Sequence, residues 1–164
     1  EALEVLEKVN TLVVDKTGTL TEGKPTLVSI QATDDFDEAT VLRYAASLER
    51  ASEHPLAEAI VRGAEDKGAE MLPVEDFDSV TGHGVTGVVD GHRVALGNIK
   101  LMQKLSIDTG DLPAQAEAGR AEGQTVMLIA IDDKAAGLIG VADPIKASTA
   151  QAIKDLRAEG VDVV

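Results

Sequence analysis

The chain has 164 residues, of which 44% are apolar, so it can bury a hydrophobic core and is not disordered throughout. The formal net charge is -14, with no basic stripe, which argues against a nucleic-acid-binding role, and the absence of cysteine excludes disulfides and thiolate metal sites. The longest apolar run, residues 126–131, is far shorter than the roughly 20 residues of a membrane helix. Because the sequence begins at Glu1 rather than methionine, we expect a soluble piece of a longer protein.

The first predicted element is a short strand that ends at an acidic side chain. Residues 12–14 form an apolar, mostly β-branched run that stops abruptly at Asp15. We interpret this run as a buried strand that presents a carboxylate at its C-terminal tip, the edge at which open α/β sheets bind ligands. After Pro25, residues 27–30 predict a second strand.

Two helices are predicted next. Residues 34–37 supply N-cap side chains for a helix that runs to about Arg50. Pro55 fits the first turn of another helix, because its missing N–H would have no intrahelical partner there. Gly68 can end this helix in the left-handed conformation.

Hairpins are predicted in the remainder of the middle region. Residues 85–89 and 92–96 flank Asp90-Gly91, a dipeptide typical of tight two-residue turns. A second strand pair is predicted at residues 125–131 and 135–141. Helices are predicted at residues 99–105, 113–122 and 147–159, followed by a strand at 161–164.

These elements predict two domains of different fold class. Residues 26–140 form an α+β insert, an antiparallel β-sheet flanked by helices. Residues 1–25 and 141–164 are two pieces of a truncated parallel α/β domain. The middle domain therefore interrupts the second one in sequence.

One motif is specific enough to indicate a function. Residues 15–21 read DKTGTLT, and a fully specified string of this length arises by chance on the order of once in ten million such chains. The string resembles the phosphorylation signature of P-type ATPases. The resemblance identifies the split domain as a haloacid-dehalogenase-like phosphorylation domain and the insert as a nucleotide-binding domain.

The resemblance implies that Asp15 is phosphorylated by ATP. A carboxylate at a strand tip can attack the γ-phosphorus in line, and Lys16, Thr17 and Thr19 complete the catalytic loop. Asp15 and the Thr17 backbone carbonyl are the implied ligands of Mg²⁺, a hard cation that prefers oxygen.

A phosphatase or phosphotransferase of the same superfamily, with a cap insert, is the alternative enzyme. Such phosphatases carry a second aspartate two residues after the nucleophile as general acid and base. The corresponding residue here is Thr17, which cannot do this at neutral pH. A nucleotide-binding module with a regulatory role is the third hypothesis.

Residues 52–56 read SEHPL and resemble the His-Pro signature of heavy-metal P-type ATPases. Alone, a His-Pro pair is more often a helix start than a ligand. With DKTGTLT in the same chain, we expect His54 and Glu49 to contact adenine. The resemblance also implies a nucleotide contact for a set of residues around the predicted hairpin, namely Gly82, Gly84, Val85, Gly97 and Asn98.

The resemblance also implies the protein's wider setting. Residues 7–25 look most like copper(I) or silver(I) exporters, and zinc, cadmium and cobalt pumps, which share the His-Pro pair, are the alternatives. The resemblance implies that the transported ion binds in membrane segments outside this chain. The remaining pump, including an actuator domain, would be the partner, and this part would lie on the cytoplasmic side of a membrane. We expect the 164-residue chain itself to be monomeric and to bind ATP without sustained turnover.

Asp143 matches an Asp-Pro pair of the family, and His83 and His92 are interpreted as structural.

Overall fold

A computed structural model describes residues 9–164 as two compact units. One unit is Pro25–Ala142, and the other joins the residues up to Lys24 with Asp143–Val164. These divisions lie within two residues of the predicted ones, at 25/26 and 140/141. The assignment of the units to named domains stays a prediction. None of the helices in residues 9–164 is long and apolar enough to cross a membrane.

The predicted fold class is confirmed, with an antiparallel sheet flanked by helices in one unit and a parallel strand pair in the other. The strands are β1 (Thr11–Leu12), β2 (Thr26–Ala32), β3 (Val74–Val80), β4 (Gly84–Val89), β5 (His92–Gly97), β6 (Thr125–Ile131), β7 (Lys134–Ala142) and β8 (Asp162–Val163). The helices are α1 (Glu38–Glu49), α2 (Pro55–Asp66), α3 (Ile99–Lys104), α4 (Leu112–Ala121) and α5 (Thr149–Ala158). The large sheet has the strand order β2-β7-β6-β5-β4-β3.

Helices cover both faces of the large sheet. α1 and α2 pack on one face, where Leu48 and Ile60 are fully buried together with Ile129 from β6. α3 and α4 pack on the other face, where Leu101 meets Leu128. Successive strand side chains point to opposite faces, so neighbours in β6 belong to different cores. This explains why β6 is a continuous apolar run rather than an alternating one.

The two predicted hairpins are confirmed, and side-chain contacts join their turns. Asp90 and Gly91 have φ of 50° and 80°, the left-handed values that a two-residue turn of this type requires. Asp132 in the second turn, with φ of 49°, accepts from the Arg93 N–H at 3.1 Å. Its other carboxylate oxygen lies 2.5 Å from Nδ1 of His92, and this hydrogen bond raises the pKa of His92.

The sequence did not predict β3. Residues 74–80 read VEDFDSV, and their acidic side chains oppose a strand prediction. The strand is tolerated because it lies at the edge of the sheet, where polar side chains remain in water. Asp76 has φ of 51° at an irregularity in the pairing of β3 with β4.

The prediction of a buried strand at residues 12–14 is wrong for the described part of the chain. β1 contains Thr11 and Leu12, and Val13 beyond it is 80% exposed. The reason is that β8 is the single strand beside β1 in residues 9–164, so little packs against its side chains. The backbone ladder continues nevertheless, because the Val14 N–H donates to the Val164 carbonyl at 2.9 Å.

Candidate functional site

Residues 15–19 of DKTGTLT form an exposed turn that begins three residues after the end of β1. Asp15 has extended backbone angles, and Gly18 has φ of 77°, a left-handed value at which the chain reverses. The side chains predicted to be catalytic are solvent-exposed on this turn, namely Asp15, Lys16, Thr17 and Thr19. Within residues 9–164, no group of three or more acidic, His or Cys side chains could hold a metal ion. The oxygens of Asp15 and Thr17 nevertheless suit Mg²⁺, because this ion binds few protein ligands and keeps several waters.

Thr21 and Asp143 hold the turn from beneath. Thr21 is 1% exposed, and its hydroxyl accepts from the Gly18 N–H at 3.0 Å while donating to Asp143 Oδ2 at 2.6 Å. The other Asp143 oxygen accepts from the Lys24 N–H at 3.1 Å. Lys146 Nζ donates to the Gly18 carbonyl at 2.9 Å. Asp143 therefore bonds to the segment that follows the turn as well as to the turn itself.

We expect Thr21→Val to loosen this turn by about 1 to 3 kcal/mol, because the change leaves the Asp143 carboxylate and the Gly18 N–H without their buried partner. Amide exchange of Gly18 measures the effect directly, and it should accelerate. Thr21→Ser is the matched control, since it keeps the hydroxyl and should retain most of the protection. Equal exchange rates in the two variants would contradict the role given to the hydroxyl.

In the larger unit, one cavity brings together all seven residues predicted to bind nucleotide. Its volume is about 590 Å³. Two larger clefts of the same unit, about 640 and 690 Å³, contain none of the seven. The predicted residues that line the cavity are Glu49, His54, Gly82, Gly84, Val85, Gly97 and Asn98.

Glu49 is the most unusual group in this cavity. It is the last residue of α1 and only 6% exposed, and its Oε2 is buried without a hydrogen-bond partner among residues 9–164. Burial raises the pKa of the Glu49 carboxyl, and the side chain of Ser52 partly opposes that shift. An unpaired buried carboxylate is costly, so this oxygen is suited to a donor that arrives with a ligand.

His54 is the N-cap residue of α2. Its Nδ1 accepts from the Leu56 N–H at 3.2 Å, and Pro55 follows in the first turn. This contact places the ring proton of the neutral imidazole on Nε2. The residue is exposed at the mouth of the cavity, so it is both a helix start and a cavity residue.

Gly84 and Gly97 face each other across β4 and β5. A Cβ atom on Gly84, which has φ of 145°, would lie 2.2 Å from the Leu96 carbonyl oxygen. One on Gly97 would lie 2.2 Å from the His83 carbonyl oxygen. The sequence therefore has glycine here because the backbones approach too closely for any side chain.

Asn98 and His83 stabilise the loop before β4. The Asn98 amide donates to the Gly82 carbonyl at 2.8 Å, and its oxygen accepts from the Leu101 N–H at 3.1 Å as the N-cap of α3. His83 Nδ1 donates to the Thr81 carbonyl at 2.8 Å. These contacts give Asn98 a structural role, and its second amide hydrogen is available for a ligand.

Sequence reasoning did not assign several cavity residues to the site. Ser52 and Leu56 belong to SEHPL but were given no role, and Met127, Arg120 and Gln124 belong to no motif. Leu56 and Met127 add apolar wall, and Ser52 adds a hydroxyl next to Glu49. Arg120 and Gln124 come from the end of α4 and the loop before β6. Only the folding of β6 beside β5 brings them to the cavity.

Comparisons with known proteins identify the family. Residues 9–164 match the family described as haloacid dehalogenase-like hydrolase. The chain belongs to the haloacid dehalogenase-like hydrolase family. Within it, the resemblance to heavy-metal P-type ATPases is confirmed by homology over the whole chain.

Over its full length, this haloacid dehalogenase-like chain is 53% identical to a copper-exporting P-type ATPase of Legionella pneumophila, and it covers 22% of that protein. It is 47% identical over its full length to 20% of a silver exporting P-type ATPase of Salmonella typhimurium. A crystal structure of a zinc-transporting PIB-type ATPase in the E2.Pi state superimposes with a TM-score of 0.86 and 34% identity, over 99% of this chain and 26% of that one. The chain thus spans about a fifth of the length of the curated relatives it matches.

Proposed function

We propose that this chain is the ATP-binding and phosphorylated part of a heavy-metal cation-translocating P-type ATPase. The observation that supports it most is the buried Oε2 of Glu49, which has no hydrogen-bond partner among the described residues, in a cavity that His54 and close-packed glycines also line. The exocyclic amine of adenine is a donor of the kind that this oxygen lacks. Val85, Leu96 and Met127 supply aliphatic surface for the planar base, which suits a chain with 2% aromatic residues.

Asp15 is the proposed nucleophile of the reaction. Its carboxylate oxygen forms a bond to the γ-phosphorus of ATP, the bond from that phosphorus to the bridging oxygen breaks, and ADP leaves with the electron pair. Thr17 and Thr19 offer hydroxyls to the transferred phosphoryl oxygens, and Lys16 adds positive charge on the same exposed turn. Mg²⁺, when held by Asp15 and the Thr17 carbonyl, would neutralise phosphate charge.

Copper(I) is the proposed cargo, because relatives at 53% and 51% identity are named as copper exporting or transporting. The ion would bind in membrane segments outside these 164 residues, and the membrane and actuator parts of the pump would be the partners. The chain itself would lie on the cytoplasmic side of the membrane as a monomer.

A phosphatase or phosphotransferase with a cap insert remains the second candidate, since the family description is that of a hydrolase. The absence of an acid–base group at Thr17 opposes it. Hydrolysis of simple phosphoesters by this chain, lost in Asp15→Asn, would favour the phosphatase over the ATPase.

The proposal predicts that His54→Asn weakens ATP binding about tenfold without lowering the midpoint of thermal unfolding. Asparagine replaces the capping Nδ1 by a side-chain oxygen that can accept from the Leu56 N–H, so the cap of α2 is kept and the imidazole is removed. His54→Ala should lose both the affinity and about 1 kcal/mol of stability, because the cap is also removed. Backbone amide NMR shifts during titration with ATP, with and without Mg²⁺, measure binding residue by residue.

In the wild type, ATP should shift the amides of Glu49, His54, Gly82, Gly84 and Asn98. Shifts confined to residues 15–19, or none at all, would overturn the assignment of the nucleotide site. Unchanged ATP affinity in His54→Asn would limit His54 to its capping role.

A further inference from the structure

The cavity described above has one strongly basic side chain. Arg120 is the single Lys or Arg among the cavity residues in the described part of the chain. It lies in the last turn of α4, whose C-terminal end is pressed against β6 because Gly119 presents no side chain there. A Cβ on Gly119 would lie 2.8 Å from Cγ2 of Val126. The close packing of helix on strand is what brings the Arg120 guanidinium to the cavity.

Arg120 and Glu49 enter the cavity from different elements. Glu49 comes from the end of α1, whereas Arg120 comes over the first residues of β6. In the sheet, β5 separates β6 from β4, so Gly84 and Leu128, which both pair with Gly97, are about two strand spacings apart, roughly 10 Å, and Val126 lies two residues further along β6. The cavity therefore has a buried acidic group on the α1–α2 side and a guanidinium on the α4–β6 side.

The guanidinium has donors to offer a ligand. Its present hydrogen bonds are long, at 3.4 Å from Nη2 to the Val126 carbonyl and 3.3 Å from Nη1 to Glu117 Oε2. The arginine side chain is 38% exposed and Glu117 is 75% exposed, so this ion pair is weak and can be exchanged for another anion. An arginine has five donors in a planar fork that matches the oxygens of a phosphate.

The pairing of the strands shows which end of the large sheet lies near Arg120. β2 begins at Thr26 and β7 ends at Ala142, and these two residues are paired, so both connections to the rest of the chain leave from one end of the sheet. Thr125 at the start of β6 pairs with Val141 at that same end. A phosphate group held by Arg120, which donates to the Val126 carbonyl, would therefore lie near this end of the sheet.

We propose that Arg120 binds the phosphate groups of the nucleotide, as a specificity-determining residue that distinguishes nucleoside di- and triphosphates from nucleosides. This inference rests on the proposed nucleotide function of the cavity. It adds the cation that an acidic chain of net charge -14 needs to accept a polyanion.

The test combines a ligand series with substitutions in the 164-residue chain. Adenosine, AMP, ADP and ATP are titrated without Mg²⁺ into wild type, Arg120→Ala and Arg93→Ala, followed by amide NMR. Arg93 is the matched control, because it is an exposed arginine of the same unit that pairs with Asp133 outside the cavity. Arg120→Ala should weaken ADP and ATP about tenfold and leave adenosine unchanged. Arg93→Ala should change none of the four.

A second variant moves the affinity in the opposite direction. Glu117→Gln removes the carboxylate that competes for the guanidinium and should tighten ATP binding two- to threefold, again without effect on adenosine. This variant keeps the test decisive if Arg120→Ala does not fold.

Three results would overturn the inference. Equal losses for adenosine and ATP would mean that Arg120 shapes the cavity rather than binding phosphate. ATP binding that survives Arg120→Ala unchanged would leave the nucleotide function intact and remove Arg120 from it. Failure of wild type to bind any ligand of the series would overturn the nucleotide function together with this inference.

Discussion

Replacing Glu49 by leucine is expected to weaken ATP binding by about 10- to 100-fold, because the carboxylate is the proposed acceptor for the adenine amine and a hydrogen bond to a charged group contributes about 1.5 to 3 kcal/mol. The same change should raise the free energy of unfolding by about 1 to 2 kcal/mol near neutral pH, since Oε2 is buried without a partner among the described residues. Binding and stability would then change in opposite directions at one position. Calorimetric titration and urea unfolding measure the two effects.

The stability effect has a defined pH dependence. Burial raises the pKa of Glu49 above its ordinary value of 4.5, so between these two values the folded state holds more protons than the unfolded state. Wild type should therefore lose stability, relative to Glu49→Leu, as the pH rises from 4.5 through the raised pKa. Glu49→Gln keeps an acceptor without charge, and it should remove the pH-dependent difference while keeping part of the ATP affinity.

Two outcomes would contradict these expectations for Glu49. The stability difference between wild type and Glu49→Leu should change with pH if the folded carboxyl has a raised pKa. A difference that stays constant from about pH 4 to about pH 8 would mean that this carboxyl titrates normally. Wild-type ATP affinity in Glu49→Leu would mean that adenine does not contact this side chain.

Gly84→Ala is expected to destabilise the larger unit by about 3 kcal/mol or more. The new methyl would lie 2.2 Å from the Leu96 carbonyl oxygen and 2.6 Å from the Gly97 Cα, and both are backbone atoms of the paired strand. The residue also has φ of 145°, which is strained for any residue with a side chain. Urea unfolding measures the loss, and separation of β4 from β5 should abolish ATP binding with it.

Gly82→Ala is the matched control for this prediction. Gly82 has φ of 71°, but a Cβ there would have no atom within 4 Å, so only the backbone strain of about 1 kcal/mol remains. Similar losses at the two positions would show that conformational strain alone, rather than the approach of the two strands, requires glycine in this loop.

The hairpins and the helix starts could be predicted from sequence because their determinants are local. Asp90-Gly91 fixes a turn by its own dihedral preferences, and Asp37 caps α1 by a bond from the Thr40 N–H at 2.7 Å. β3 could not be predicted in this way, because the acidic side chains at Glu75 and Asp78 are acceptable only at a sheet edge. Edge position is a property of the assembled sheet, which local sequence does not contain.

The candidate site also contains both residues that local sequence predicts and residues that depend on the assembled sheet. The motif residues around His54 and Gly82 could be found because a resemblance carries them, and the cavity brings them together. Arg120 and Gln124 belong to no motif, and their place depends on the register in which Val126 pairs with Gly140. The burial of Glu49 was equally invisible, since an acidic residue at a helix end is normally in water.

The pairing of Thr26 with Ala142 has a consequence for the order of folding. Before the large sheet forms, the two pieces of the smaller unit are separated by all of Pro25–Ala142, and closing a loop of that length costs entropy. Once β2 and β7 are hydrogen-bonded, the chain segments that lead into the two pieces are held one strand spacing apart, about 5 Å. The entropic cost of bringing the two pieces together falls by roughly 3 to 4 kcal/mol, because this cost grows with the logarithm of the loop length. Folding of the larger unit therefore brings the two pieces of the smaller unit together. A substitution that unfolds the larger unit should also delay assembly of the smaller one.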